Sequence, residues 1–135
     1  MKVKFFSGIK TDGEVKKMVE FINDITITKE KIDNVETDVF EMLNPENNTM
    51  IRLEIFGENL TVFSGENTLF FELNKEIDNI FYNNTVETKV ATVLNKLDIK
   101  PKSVSIEYDL LLKNEEPTPN AKIATYTSDL EFIDD

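Results

Sequence analysis

The reactive side chains of this sequence are carboxylates, lysines with one arginine, phenols and hydroxyls. Its 135 residues include no Cys, no His and no Trp. Without thiols there is no disulfide framework, thiol nucleophile or thiolate metal site. Without imidazole there is no Ser-His-Asp triad, no His-ligated zinc and no ordinary proton acceptor for neutral pH. What remains is acid pairs and hard, oxygen-ligated ions such as Mg²⁺ or Ca²⁺. Asp78 with Glu87-Thr88-Lys89 has the residue types of a metal-dependent hydrolase, two carboxylates for Mg²⁺ and a lysine to stabilise charge. Its acid-x-Lys element recurs at Glu14/Lys16 and Asp98/Lys100, about as often as chance placement of so many acids and lysines gives. A capping place on a helix accounts for Glu87 more simply.

Two further groupings meet similar objections. Gly8-Ile9-Lys10-Thr11-Asp12-Gly13 lies between a strand pattern and a helical one, in the layout of a phosphate-binding loop. Glu14 and Val15 stand where that loop needs Lys and Ser or Thr, and a carboxylate there repels phosphate. Glu107 and Asp109 share the outward face of one strand, roughly 6.5–7 Å apart, with no calcium-loop pattern around them. The expectation is therefore no cofactor, no metal and no catalytic residue.

Charge is the more informative property. The 26 acids against 15 bases give a net charge of −11. The excess lies in residues 36–82 and 114–135, whereas 1–35 and 83–113 are close to neutral. Such a field repels nucleic acid and anionic membrane and attracts basic proteins. Lys2 and Lys4 precede only Phe5-Phe6 before Ser7-Gly8, too short a run for a signal peptide, and apolar runs reach only three residues. A cytoplasmic location is expected. The wealth of Asn, Lys and Ile suggests a low-GC bacterium or phage source.

The elements that must position these groups read as α+β, one domain over 1–135. Lys2–Phe6 reads as a strand. Thr11 and Glu14 form a capping box ahead of Val15, Met18, Val19 and Ile22, whose spacing predicts a helix. Residues 24–28 are extended, and 29–43 fit either element, with strand favoured over 34–43 by β-branched content. Gly57-Glu58-Asn59 and Gly65-Glu66-Asn67 read as successive hairpin turns between strands near 49–56, 59–64 and 67–73. Phe70 and Phe71 cannot both point inward on one strand. Ile77, Ile80 and Phe81 suggest a short helix. Val86, Val90, Val93, Leu94 and Leu97 suggest a second, capped by Asn84 and ended by Pro101. Residues 103–112 alternate most cleanly, and a last strand runs over about 121–132. The acidic C-terminal stretch Asp129–Asp135 reads as strand end rather than docking peptide.

These features predict a β-meander sheet against two or three helices, in an acidic, non-enzymatic module that binds a Lys/Arg-rich protein. Inhibition of a nucleic-acid-binding protein is one such role. Glu54, Glu58, Glu66, Glu72, Glu107 and Asp109 are the candidate contacts. The alternative is a structural or accessory subunit of a phage-like homo-oligomer, self-associating through a strand edge and surplus Phe.

Overall fold

Alternation of apolar and polar residues, broken by Asn- and Gly-containing turns, lays down ten strands over the described residues, 1–134. They are β1 Lys2–Thr11, β2 Glu14–Ile32, β3 Val35–Asn44, β4 Thr49–Phe56, β5 Asn59–Ser64, β6 Asn67–Glu72, β7 Glu76–Asn83, β8 Val86–Lys100, β9 Ser103–Leu112 and β10 Ala121–Ile133. In this computed structural model every ladder between named strands is antiparallel, in the order β6-β5-β4-β3-β2-β1-β10-β9-β8-β7. The meander curls into a nearly closed barrel. Its two free edges, β6 and β7, are neighbours in sequence and face each other in space.

The expected helices are absent from the described residues, and the α+β expectation is overturned. The reason lies in β-bulges. Ser7 pairs with Val19 but Gly8 with Lys17, so Met18 is an extra residue. Leu94 pairs with Tyr108 but Lys96 with Glu107, so Asn95 is another. An extra residue turns one two-residue step on the inner face into three. On β8 that makes Leu94 to Leu97 the inner-face step, so 90/94/97 mimics a helical stripe. On β2 the 15/18/19/22 spacing mixes both faces, since Val15 and Ile22 are exposed and Ile22 lies opposite Lys4, while Val19 lines the interior. Thr11-Asp12-Gly13-Glu14 is not a cap but a hairpin turn, with φ of 49° at Asp12 and 81° at Gly13. Gly8 lies within β1, where a Cβ would meet a Val15 methyl at 2.7 Å and the Lys16 carbonyl at 2.8 Å. Gly8 thus serves close strand packing, and no helix follows Gly13 to complete a phosphate loop. The 29–43 region is strand on both sides of an Asp33-Asn34 turn. The Gly57 and Gly65 turns fall where expected, and the strand over 103–112 matches residue for residue.

Curvature comes from stagger. β2 pairs with β1 over Lys2↔Asp24 to Thr11↔Glu14, then with β3 from Ile25 to Ile32. A strand that changes partner halfway forces its neighbours to step along the barrel axis, which tilts and closes the sheet. The remaining seam is sewn by side chains. The Phe70 amide donates to Asn79 Oδ1 at 2.8 Å, while Asn79 Nδ2 donates to the Phe70 carbonyl at 2.9 Å. Asn67 returns the same double bond to Tyr82, accepting from its amide at 2.7 Å and donating to its carbonyl at 3.0 Å. Thr92 Oγ1 also donates to the Phe70 carbonyl at 2.7 Å, and Asn74 N donates to the Leu94 carbonyl at 2.8 Å. A carboxamide has the donor–acceptor pair of a peptide unit, so each Asn stands in for a missing strand residue.

One end of the barrel is filled. Phe40 and Phe132 stack with centroids 5.8 Å apart, among fully buried Val3, Leu60, Leu94 and Val104. The chain contains no helix, among the described residues, long and apolar enough to cross a membrane.

Candidate functional site

Follow the inward residues of each strand from the filled end to the other and a pattern emerges. On β1 they run Val3, Phe5, Ser7; on β10, Phe132, Leu130, Ser128; on β5, Leu60, Val62, Ser64. β6 gives Phe71, Leu69, Asn67, and β3 gives Phe40, Met42, Asn44. Each series starts with large apolar groups and ends in Ser or Asn. Small side chains at inward positions leave space that a Leu or Phe would fill. The result is a cavity of about 520 Å³ in that half of the barrel, lined by Phe5, Ile51, Leu53, Val62, Leu69, Phe71, Ile106, Leu110 and Leu130 with the Ser and Asn ends above them. Met18, Asn47 and Phe81, at the loop end, also line it. Met18 is 53% exposed, which marks the mouth. There β2 residues 14–22 extend past the end of β3, leaving a gap beside the loop of residues 45–48.

Two phenols supply the cup's polar handles. Tyr108 stacks on Tyr126 with centroids 5.3 Å apart and meets Phe71 edge-on at 4.7 Å. Both tyrosines line the cavity, and neither hydroxyl has a hydrogen-bond partner among the described residues. Tyr108 is half-buried and lines the cavity. That burial, with the neighbouring Tyr126, raises its phenol pKa well above the ordinary value, so it is held protonated. Nearby, Ser128 Oγ donates to Ser7 Oγ at 3.4 Å, a long and weak hydrogen bond. No Asp, Glu, Lys or Arg lines the cup.

The six acids singled out from the sequence all lie outside this cup. Glu54 is on the outer face of β4, hydrogen-bonded to Arg52 at 2.8 Å, and Arg52 also meets Glu30 and Glu41. Glu107 is bonded to Lys10 at 3.1 Å, and Asp109 accepts from Thr125 at 2.6 Å. Glu72 meets Lys75 at 3.2 Å. Glu58 and Glu66 sit in consecutive turns, hence at opposite ends of β5, roughly 20 Å apart. Glu107 and Asp109 are close neighbours on one strand, and Glu58 lies beside Glu72 across the β5–β6 pair. Asp78 is paired with Lys113 at 2.6 Å, and no group of three or more acids able to hold a metal ion occurs among the described residues. Of the C-terminal stretch, Asp135 lies outside the described residues; Asp129 to Ile133 belong to β10.

The tyrosines and serines of the cup form no motif along the sequence; the clean alternation over 103–112 is what turns Tyr108 inward. The usable signal was the repeated apolar-to-Ser ending of strands. Phe71 points in at 3% exposure and Phe70 out at 53%, which settles the pair.

Fold and site together define a ten-stranded antiparallel barrel with one filled end and one hollow, uncharged end. No family model matches the chain, and no curated protein matches it. The fold is similar to that in a crystal structure of the ywiB protein from Bacillus subtilis, with a TM-score of 0.59 and 11% identity over 98% of this chain and 91% of that one. At that identity the likeness shows the fold alone.

Proposed function

We propose that this protein binds a small, mainly apolar molecule inside the hollow end of its barrel. The observation that carries the reading is the cavity of about 520 Å³, walled by aliphatic and aromatic side chains and open at Met18 and Asn47. That size is within the range of small-molecule sites, which combine an apolar wall with a few placed polar groups. The acidic-partner reading rests on net charge; its six residues are spread over both ends of the barrel, and three already contact a cation. The cup is the more concentrated feature. Titration with the neutral fluorophore N-phenylnaphthylamine tests it: saturable enhancement is expected, and loss of it in Leu69→Trp, whose indole fills the cup, with an unchanged far-UV spectrum. Equal binding by that variant removes the cup as the site.

A further inference from the structure

The lining of the cup says which molecules it takes. A buried ion needs a counter-charge or a dense set of hydrogen bonds, and an unpaired one is strongly disfavoured. The wall offers no cation for a carboxylate or phosphate and no anion for an ammonium. It offers hydroxyls instead: Tyr108 and Tyr126 on facing positions of β9 and β10, with Ser128 and Ser7 one inward step along. Of the Asn groups nearby, Asn67 has both carboxamide atoms on Tyr82, while Asn44 and Asn47 accept through Oδ1 from the Glu46 and Thr49 amides at the loop end. The opposite wall, Val62, Leu69, Ile51 and Leu53, is aliphatic. Tyr108 and Tyr126, with the weakly bonded Ser128–Ser7 pair, thus form a polar stripe across β9, β10 and β1, facing a mainly aliphatic wall whose rim carries Thr49 and Ser64.

Resting on the cup reading, we infer that the ligand is electrically neutral, with an apolar ring system and a carbonyl, ether or hydroxyl oxygen directed at the Tyr108–Tyr126–Ser128 stripe. A flat ring fits beside the existing aromatic set, where offset-stacked and edge-on contacts add to area burial. The protonated Tyr108 phenol donates to the ligand oxygen, and donation to an otherwise unpartnered site favours a ligand that carries an acceptor. A carboxylate on the same ring would be stripped of water without a cation to meet it. Free fatty acids are therefore poor ligands, although their chains match the wall.

The test compares ligands sharing one ring. Displacement of N-phenylnaphthylamine at neutral pH is measured with 2-naphthol and with 2-naphthoate. We expect naphthol to compete at least about tenfold more tightly than naphthoate, tenfold being 1.4 kcal/mol. Tyr108→Phe should weaken naphthol by roughly three- to tenfold while leaving fluorophore affinity nearly unchanged, because that fluorophore carries no oxygen. Naphthoate competing as well as naphthol would overturn the neutral-ligand inference while the cup reading stands. Unchanged naphthol affinity in both Tyr108→Phe and Tyr126→Phe would overturn the role of the stripe. Absence of any fluorophore, naphthol or naphthoate binding would overturn the cup reading and this inference together.

Discussion

The two ends of the barrel are built from the same strands and the same alternation, yet one is a core and the other a container. At the filled end the inward positions hold Val3, Phe40, Phe132, Leu94 and Val104, and the rings and aliphatics meet across the axis. At the hollow end the same strands present Ser7, Ser64, Ser128, Asn44 and Asn67. A Ser has one heavy atom beyond Cβ and does not reach the axis, and Asn44 and Asn67 turn their carboxamides to backbone groups, so the sheet holds its shape without filling its interior. Wall and contents are thereby separated. The filled end, the seam and the stagger hold the fold, and the hollow end is left free of packing.

That contrast ranks the effects of substitution. Leu94→Ala at the filled end should cost about 2–5 kcal/mol in urea unfolding, since Leu94 is fully buried and a cavity is created. A cost under about 1 kcal/mol would mean the filled end is not the core that holds the barrel. Asn79→Ala at the seam should cost roughly 2–3 kcal/mol, as it leaves the Phe70 amide and carbonyl with fewer partners. Its signature is local: hydrogen exchange of the Phe70 amide should accelerate while those of the filled end keep their protection. Ser64→Val in the cup runs the other way. It fills empty space, so stability should be unchanged or slightly raised while fluorophore capacity falls; destabilisation beyond about 1 kcal/mol would mean the space is already occupied by packed atoms.

Alkaline pH should expose the cup's tyrosine. Tyr108 keeps its proton in the folded state at pH values where the unfolded chain loses it. Between the unfolded value near 10 and the higher folded value, the unfolded state binds fewer protons, so stability falls as pH rises. Below that window the group contributes no pH dependence. Absorbance titration should therefore show one of the three tyrosines ionising only as the fold is lost. The smallest effect belongs to the surface. Lys17→Ala removes an exposed pair to Glu20 at 3.9 Å and should change stability by less than about 0.5 kcal/mol.

Much of the strand content was legible and the overall architecture was not, for one local reason. The strands from Thr49 to Glu72 and over Ser103–Leu112 follow two-residue alternation between tight turns, and there the pattern along the chain and the fold agree. β2 and β8 carry bulges at Met18 and Asn95; on β8 the lengthened inner step copies the spacing of a helix, and on β2 apolar residues on both faces, with Val15 and Ile22 outside, combine into the same spacing. The Asp12-Gly13 pair was the contrary signal: it is a hairpin dipeptide, and it outranked the Thr11/Glu14 capping pattern.

The sequence by itself determined which chemistries are unavailable, where charge accumulates, which turns are tight and which positions alternate. These follow from residue type and from neighbours along the chain. Only the tertiary structure decided that β6 and β7 meet, that Asn67 and Asn79 act as strand residues across the seam, and that Ser7, Ser64 and Ser128 look into the same space. Those relations join residues up to 121 positions apart. They depend on stagger accumulated over all ten strands, which no local pattern encodes.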